Sequence, residues 1–189
     1  MKTGLLSGGC INRRSIPENL LIFIAIIEKN LEYTLNLISK LEVSSVYFKK
    51  ENKQDSLDKL KLDIKAEILN YPPEYIFKIA VFITFLENIY NSTNEIKQYI
   101  ECVEKYPPLG FDFFEIAVKI SDIIKTKIDS FFNGHIDTIL ETKITETELL
   151  INTALEYLHK LNSNKRRGKG RIVYYSCVIE EIKIILKTL

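Results

Sequence analysis

The sequence contains little glycine and proline, with 7 and 5 of them among 189 residues. Folds made of many short strands need these residues at their turns, so their scarcity favours long regular elements. Tryptophan is absent, and the only histidines are His135 and His159. Neither histidine has a cysteine or a second histidine at the spacing of a metal motif. Nothing in the sequence marks a catalytic centre, and we expect a protein that is not an enzyme.

The sequence also lacks the pattern of a disulfide framework, an apolar run long enough to span a membrane, and an excess of charge of one sign. The three cysteines, Cys10, Cys102 and Cys177, are odd in number and far apart, which favours a reducing cytosol over a disulfide framework. The longest apolar run, residues 20–27, is much shorter than the roughly 20 residues that span a bilayer. Basic and acidic residues number 26 and 25, whereas dedicated nucleic-acid binders carry a basic excess. The composition therefore predicts a cytoplasmic protein for which nucleic acid is an unlikely partner.

What the sequence does contain is apolar residues at helical spacing along most of its length. Proline pairs interrupt this pattern at Pro72-Pro73 and Pro107-Pro108, where one helix is expected to end and another to begin. The second helix has room to begin upstream, near Val46. The predicted helices cover about residues 17–38, 57–68, 73–105, 111–132, 135–161 and 170–189.

The helical pattern repeats within the chain. Residues 79–96 align with residues 172–189, 93 positions later, and Ile79 then meets Ile172. At an offset of 92, Ile24-Ala25 meets Ile116-Ala117. The repeat predicts an all-α fold of two tandem three-helix bundles, six long antiparallel helices that share one core. The expected divisions are a flexible N-terminus (1–14), a first repeat (15–106) and a second repeat (107–189).

Length, repeat period and helix order resemble those of the PhoU-like proteins, in particular the small regulators associated with Pit-type phosphate permeases. The resemblance covers about residues 16–189 and includes short local similarities at residues 60–68 and 85–89. It implies a regulatory adaptor that modulates inorganic phosphate uptake or signalling. The implied partner is a membrane phosphate transporter or sensor protein at the inner membrane face, and a homodimer is a further expectation.

PhoU-like proteins carry a pattern of Glu or Asp followed four residues later by Asp, which can bind metal clusters. Two carboxylates at this spacing lie on one face of a helix. In this sequence the first acid of each pair remains and the second is replaced. The resemblance therefore implies a metal cluster that is absent or weak, with no cofactor, and acids on solvated helix faces. The four pairs are Asp58 with Leu62, Glu87 with Asn91, Glu141 with Thr145, and Glu180 with Ile184.

A basic stretch joins the fifth and sixth predicted helices. It differs from a phosphate-binding P-loop because no strand precedes it and its glycines have the wrong spacing. Free N–H groups at a helix start, together with several cations, would attract an anion. A solvated turn between two helices is the simpler explanation of the stretch. The candidate anion-binding residues are Lys165, Arg166, Arg167, Lys169 and Arg171.

Two other functions remain open at this stage. One is a nucleic-acid-associated helical protein that uses residues 165–171. The other is a helical scaffold or dimer subunit with no role in phosphate regulation.

Overall fold

The computed structural model describes residues 16–39, 54–103, 113–133, 138–164 and 169–188. Within these ranges the chain is helical and contains no strand, so the prediction of an all-α protein is confirmed. The six helices are α1 (Glu18–Ser39), α2 (Gln54–Ile68), α3 (Pro73–Val103), α4 (Phe114–Asn133), α5 (Thr138–Asn164) and α6 (Lys169–Lys187).

Proline marks the helix starts in the first half of the chain. The Pro17 carbonyl accepts hydrogen bonds from the N–H groups of Leu20 and Leu21 and so forms the first turn of α1. The Pro72 carbonyl does the same at the start of α3, whose first residue is Pro73. Proline suits this place because its missing N–H would have no partner there. The predicted extension of α2 toward Val46 and the predicted N-terminal segment 1–14 lie outside the described residues.

One hydrophobic core runs through the molecule and receives side chains from all six helices. Helix α3 packs mainly against α6 and also against α1. Helix α1 in turn packs against α2 and α4, and α5 packs against α4 and α6. The α3–α6 contact therefore joins the two halves of the sequence at their C-terminal helices, and the α1–α4 contact joins them at their N-terminal helices.

Buried residues recur at corresponding positions in the helices of the two halves. A shift of 93 residues superposes most buried positions of α3 on those of α6. The same shift superposes most of the buried positions of α1 on buried positions in or next to α4. The predicted pairing of Ile24-Ala25 with Ile116-Ala117 is wrong by one residue, because Ala25 is exposed and Ala117 is buried. The coincident buried pairs are Ile79/Ile172, Phe82/Tyr175, Leu86/Ile179, Ile89/Ile182, Leu20/Phe113, Phe23/Ile116, Ile24/Ala117, Ile27/Ile120 and Leu31/Ile124.

Aromatic rings fill the core where helices from different parts of the chain meet. Phe82 of α3 stacks on Phe131 of α4 with ring centroids 3.7 Å apart, and it meets the edge of Phe132 at 6.2 Å. Phe113, just before α4, stacks on Tyr175 of α6 at 5.3 Å. These five rings help to hold the helices together, since aromatic pairs add attraction to their large buried area.

Candidate functional site

The α2–α3 hairpin carries the most closely held charges among the expected site residues. Lys61 of α2 places its Nζ 2.7 Å from Asp58 and 3.2 Å from Glu87 of α3. The hydrogen bond to Asp58 raises the pKa of Lys61, and Glu87 adds to the rise while burial opposes it. A protonated amine therefore lies between the two carboxylates. Both acids were expected on solvated faces, yet they share a cation that spacing along one helix could not reveal.

The other two acids of the resemblance take no part in this contact. Glu180 lies 3.7 Å from Lys183, one turn further along α6. Glu141 is exposed, and its carbonyl accepts a 2.9 Å hydrogen bond from the Thr145 hydroxyl. Within the described ranges, no three His, Cys, Asp or Glu side chains are grouped as a metal ion would require.

A polar network lies between α1 and α3. Asn30 donates a 2.6 Å hydrogen bond to the hydroxyl of Thr93, which is 1% exposed. Lys97 donates to the side-chain oxygen of Asn30, and its ammonium lies 5.3 Å from the centre of the Tyr33 ring. Burial lowers the pKa of Lys97. The missed signal was the polar pair Asn30 and Thr93 at positions where the apolar period predicts hydrocarbon.

The outer side of the α2–α3 hairpin exposes four large apolar side chains, here called the hairpin patch. Leu62 is on α2, Leu69 follows its last turn, and Phe77 and Val81 are on α3; they are 65%, 74%, 71% and 54% exposed. On each helix they lie opposite the buried residues. Lys61 of α2 reaches Glu87 of α3, although the main packing partner of α2 is α1. All four side chains of the hairpin patch face solvent on these two consecutive helices and the turn that joins them.

The structure describes only part of the stretch that contains the candidate anion-binding residues. Helix α5 ends at Asn164 and α6 begins at Lys169, so the basic stretch joins two helices as expected. Lys165, Arg166 and Arg167 lie outside the described residues. Lys169 and Arg171 belong to the first turn of α6, and the structure does not describe their side chains. Their role in binding an anion stays a prediction.

Other titratable residues occupy ordinary surface positions. Asp122 and Glu146 form ion pairs across α4 and α5, with Lys143 at 2.8 Å and Lys119 at 3.1 Å. His159 is exposed near the end of α5. Cys102 and Cys177 are free cysteines, and both are partly exposed.

Comparison of the chain with known protein families, with curated proteins and with solved structures gives no match. In the part of the chain that the structure describes, no helix combines the length and apolar character that crossing a membrane would require.

Proposed function

We propose that the chain is a non-enzymatic regulatory adaptor similar to the PhoU-like proteins, made of two tandem three-helix repeats. In this proposal it binds a membrane phosphate transporter or sensor protein through a helical face, at the inner side of the membrane. Binding would modulate phosphate uptake or the signalling that controls it.

The repeated burial pattern supports the tandem architecture. Positions buried in α1 and α3 recur in α4 and α6 after 93 residues. In the middle helices the shift is 94, since buried Leu57 and Ile64 of α2 correspond to buried Ile151 and Leu158 of α5. Unrelated amphipathic helices share a period of 3.6 residues, but nothing requires three pairs of them to share nearly one offset.

The observation that carries the adaptor role is the hairpin patch. Apolar side chains that are exposed singly are common, whereas adjacent ones on one surface mark interaction sites. Phenylalanine and leucine at the centre of such a surface bury a large area when a partner covers them. Leu69 directly follows α2 and Phe77 lies in the second turn of α3, so the two most exposed members are close to the turn that joins these helices.

The experiment is affinity capture of the tagged chain with solubilised membranes of its source cell. We expect recovery of a phosphate transporter or sensor, and a reduction by about tenfold or more in the double variant Leu69→Ser, Phe77→Ser. The matched control is Leu149→Ser, because Leu149 is 68% exposed on α5, away from the hairpin. Recovery of soluble proteins alone, or equal recovery by the patch variant, would contradict the proposal.

A further inference from the structure

A hollow of about 310 Å³ lies between α3 and α6 and opens to solvent. Helix α3 contributes Tyr99, and the remaining lining comes from the first half of α6. This volume is at the lower end of the range in which proteins bind small molecules. The lining residues from α6 are Ile172, Val173, Ser176, Cys177, Glu180 and Glu181.

The lining divides into an apolar part and an acidic part. Ile172 is buried and Val173 is exposed, and both add hydrocarbon to the lining next to the Tyr99 side chain's contribution from α3. Glu180 and Glu181 supply two carboxylates, and none of the lining side chains that the structure describes is basic. An aromatic ring next to carboxylates attracts cations through its π face as well as through the carboxylate charge.

The thiol and the phenol of this hollow both hold their protons more tightly than usual. Burial raises the pKa of the Cys177 thiol, and the charges of Glu181 and Glu180 raise it further. Burial also raises the pKa of the Tyr99 phenol, with Cys177, Glu95 and Glu181 adding to the rise. The negative charge of Glu181 contributes to both rises in pKa. The thiol and the phenol therefore stay protonated while the field around them is negative.

The negative charge is only partly balanced by neighbouring cations. Lys183 lies 3.7 Å from Glu180, at the limit of an ion pair. Glu181 forms no ion pair with any residue that the structure describes. A ligand that brings one positive charge would supply the missing partner.

We propose that the hollow between α3 and α6 binds a small organic cation, a primary amine attached to a short apolar or aromatic body. The ammonium group lies at Glu181 and Glu180, and the apolar body packs against Tyr99 and Ile172. This site is separate from the hairpin patch and does not depend on the adaptor role.

The test is titration of the full chain with benzylamine, followed by NMR and isothermal titration calorimetry. We expect saturable binding with shifted signals at Tyr99 and Ser176. The neutral isostere benzyl alcohol should bind at least about tenfold more weakly, because it cannot make the charged contact. Glu181→Gln, which keeps the size of the side chain, should weaken benzylamine by about the same factor.

The matched control is Glu101→Gln, an exposed acid on α3 that does not line the hollow. It should leave benzylamine binding unchanged. The proposal is overturned if benzylamine fails to saturate, if benzyl alcohol binds equally well, or if Glu101→Gln weakens binding as much as Glu181→Gln.

Discussion

Asn30 and Thr93 in the first half of the chain correspond, 93 residues later, to Ile123 and Leu186 in the second half. Thr93, Ile123 and Leu186 are 1%, 1% and 3% exposed, so comparable interior positions hold a polar group in one half and hydrocarbon in the other. The first half satisfies its polar groups with a hydrogen bond between α1 and α3. Helix pairing differs in the same place, because α1 packs on α3 whereas their counterparts α4 and α6 are not a main contact pair among the described helices. A buried hydrogen bond is directional, so we infer that it fixes how α1 sits on α3.

The largest expected effects test whether the two halves are equivalent in the shared core. Ile89→Ala and Ile182→Ala remove the same side chain from corresponding positions that are 0% and 1% exposed. Each variant should lose about 2–5 kcal/mol of unfolding free energy, measured by urea denaturation, because a cavity remains. Leu149→Ala, at an exposed position, should cost less than about 0.5 kcal/mol. If either isoleucine variant lost as little unfolding free energy as Leu149→Ala, the two halves would not be equivalent at that position.

The next largest effect is expected when a polar residue of the first half is replaced by the apolar residue of the second half, and the reverse. Asn30→Ile should cost about 1–3 kcal/mol, because Lys97 loses an acceptor and the Thr93 hydroxyl loses a donor. The reverse change, Ile123→Asn, should cost at least as much, since it buries an amide at a position built for hydrocarbon.

A double-mutant cycle with Asn30→Ile and Thr93→Leu sharpens this exchange. The double variant should be more stable than the sum of the two single losses predicts, because both partners of the hydrogen bond are gone. Strict additivity in urea denaturation would mean that the 2.6 Å contact contributes nothing to the pairing of α1 with α3.

Smaller effects are expected from the surface ion pairs. Lys119→Met removes one exposed pair between α4 and α5 and should cost less than about 1 kcal/mol. Lys61→Met should cost more than Lys119→Met, because two carboxylates, Asp58 and Glu87, lose their common cation. Thermal unfolding at low and high salt measures both variants, and added salt should reduce the two losses. A larger loss of stability for Lys119→Met than for Lys61→Met would contradict this expectation.

The smallest effect concerns the pH dependence of stability. Burial lowers the pKa of Lys97 below its ordinary value of 10.5, so the unfolded chain holds this proton more tightly than the folded one. Stability from this group therefore rises with pH between the lowered pKa and 10.5. The wild type should gain unfolding free energy relative to Lys97→Met over that window. Subtracting the unfolding free energy of Lys97→Met from that of the wild type removes the contribution of the other titrating groups. A difference that does not change with pH would contradict the expectation.

Sequence patterns predicted the helices better than the contacts between them. The six helices were located because apolar spacing and proline position are properties of a single stretch of chain. The predicted start of α4 at 111 was about three residues early, since the helix begins at Phe114. The predicted start of α5 at 135 lies outside the described residues. The burial register of α3 and α6 was also correct. The register of α1 and α4 was wrong by one residue, because alanine can be exposed or buried with little energetic difference.

The candidate sites depended on neighbours that are distant in sequence. Lys61 was passed over because its partner Glu87 lies on another helix, and the hairpin patch was missed because its leucines also fit a helical core. The hollow at Tyr99 arises only where α3 meets α6.

The sequence by itself determined that the protein is helical, where most helices begin and end, and which face of each helix is apolar. These properties follow from backbone sterics and from a period of 3.6 residues, which act over one or two turns. The tertiary structure alone decided that Lys61 holds Asp58 and Glu87, that Asn30 meets Thr93, and that Glu181 faces a hollow. Such contacts depend on how whole helices pack, and many packings satisfy the same apolar pattern.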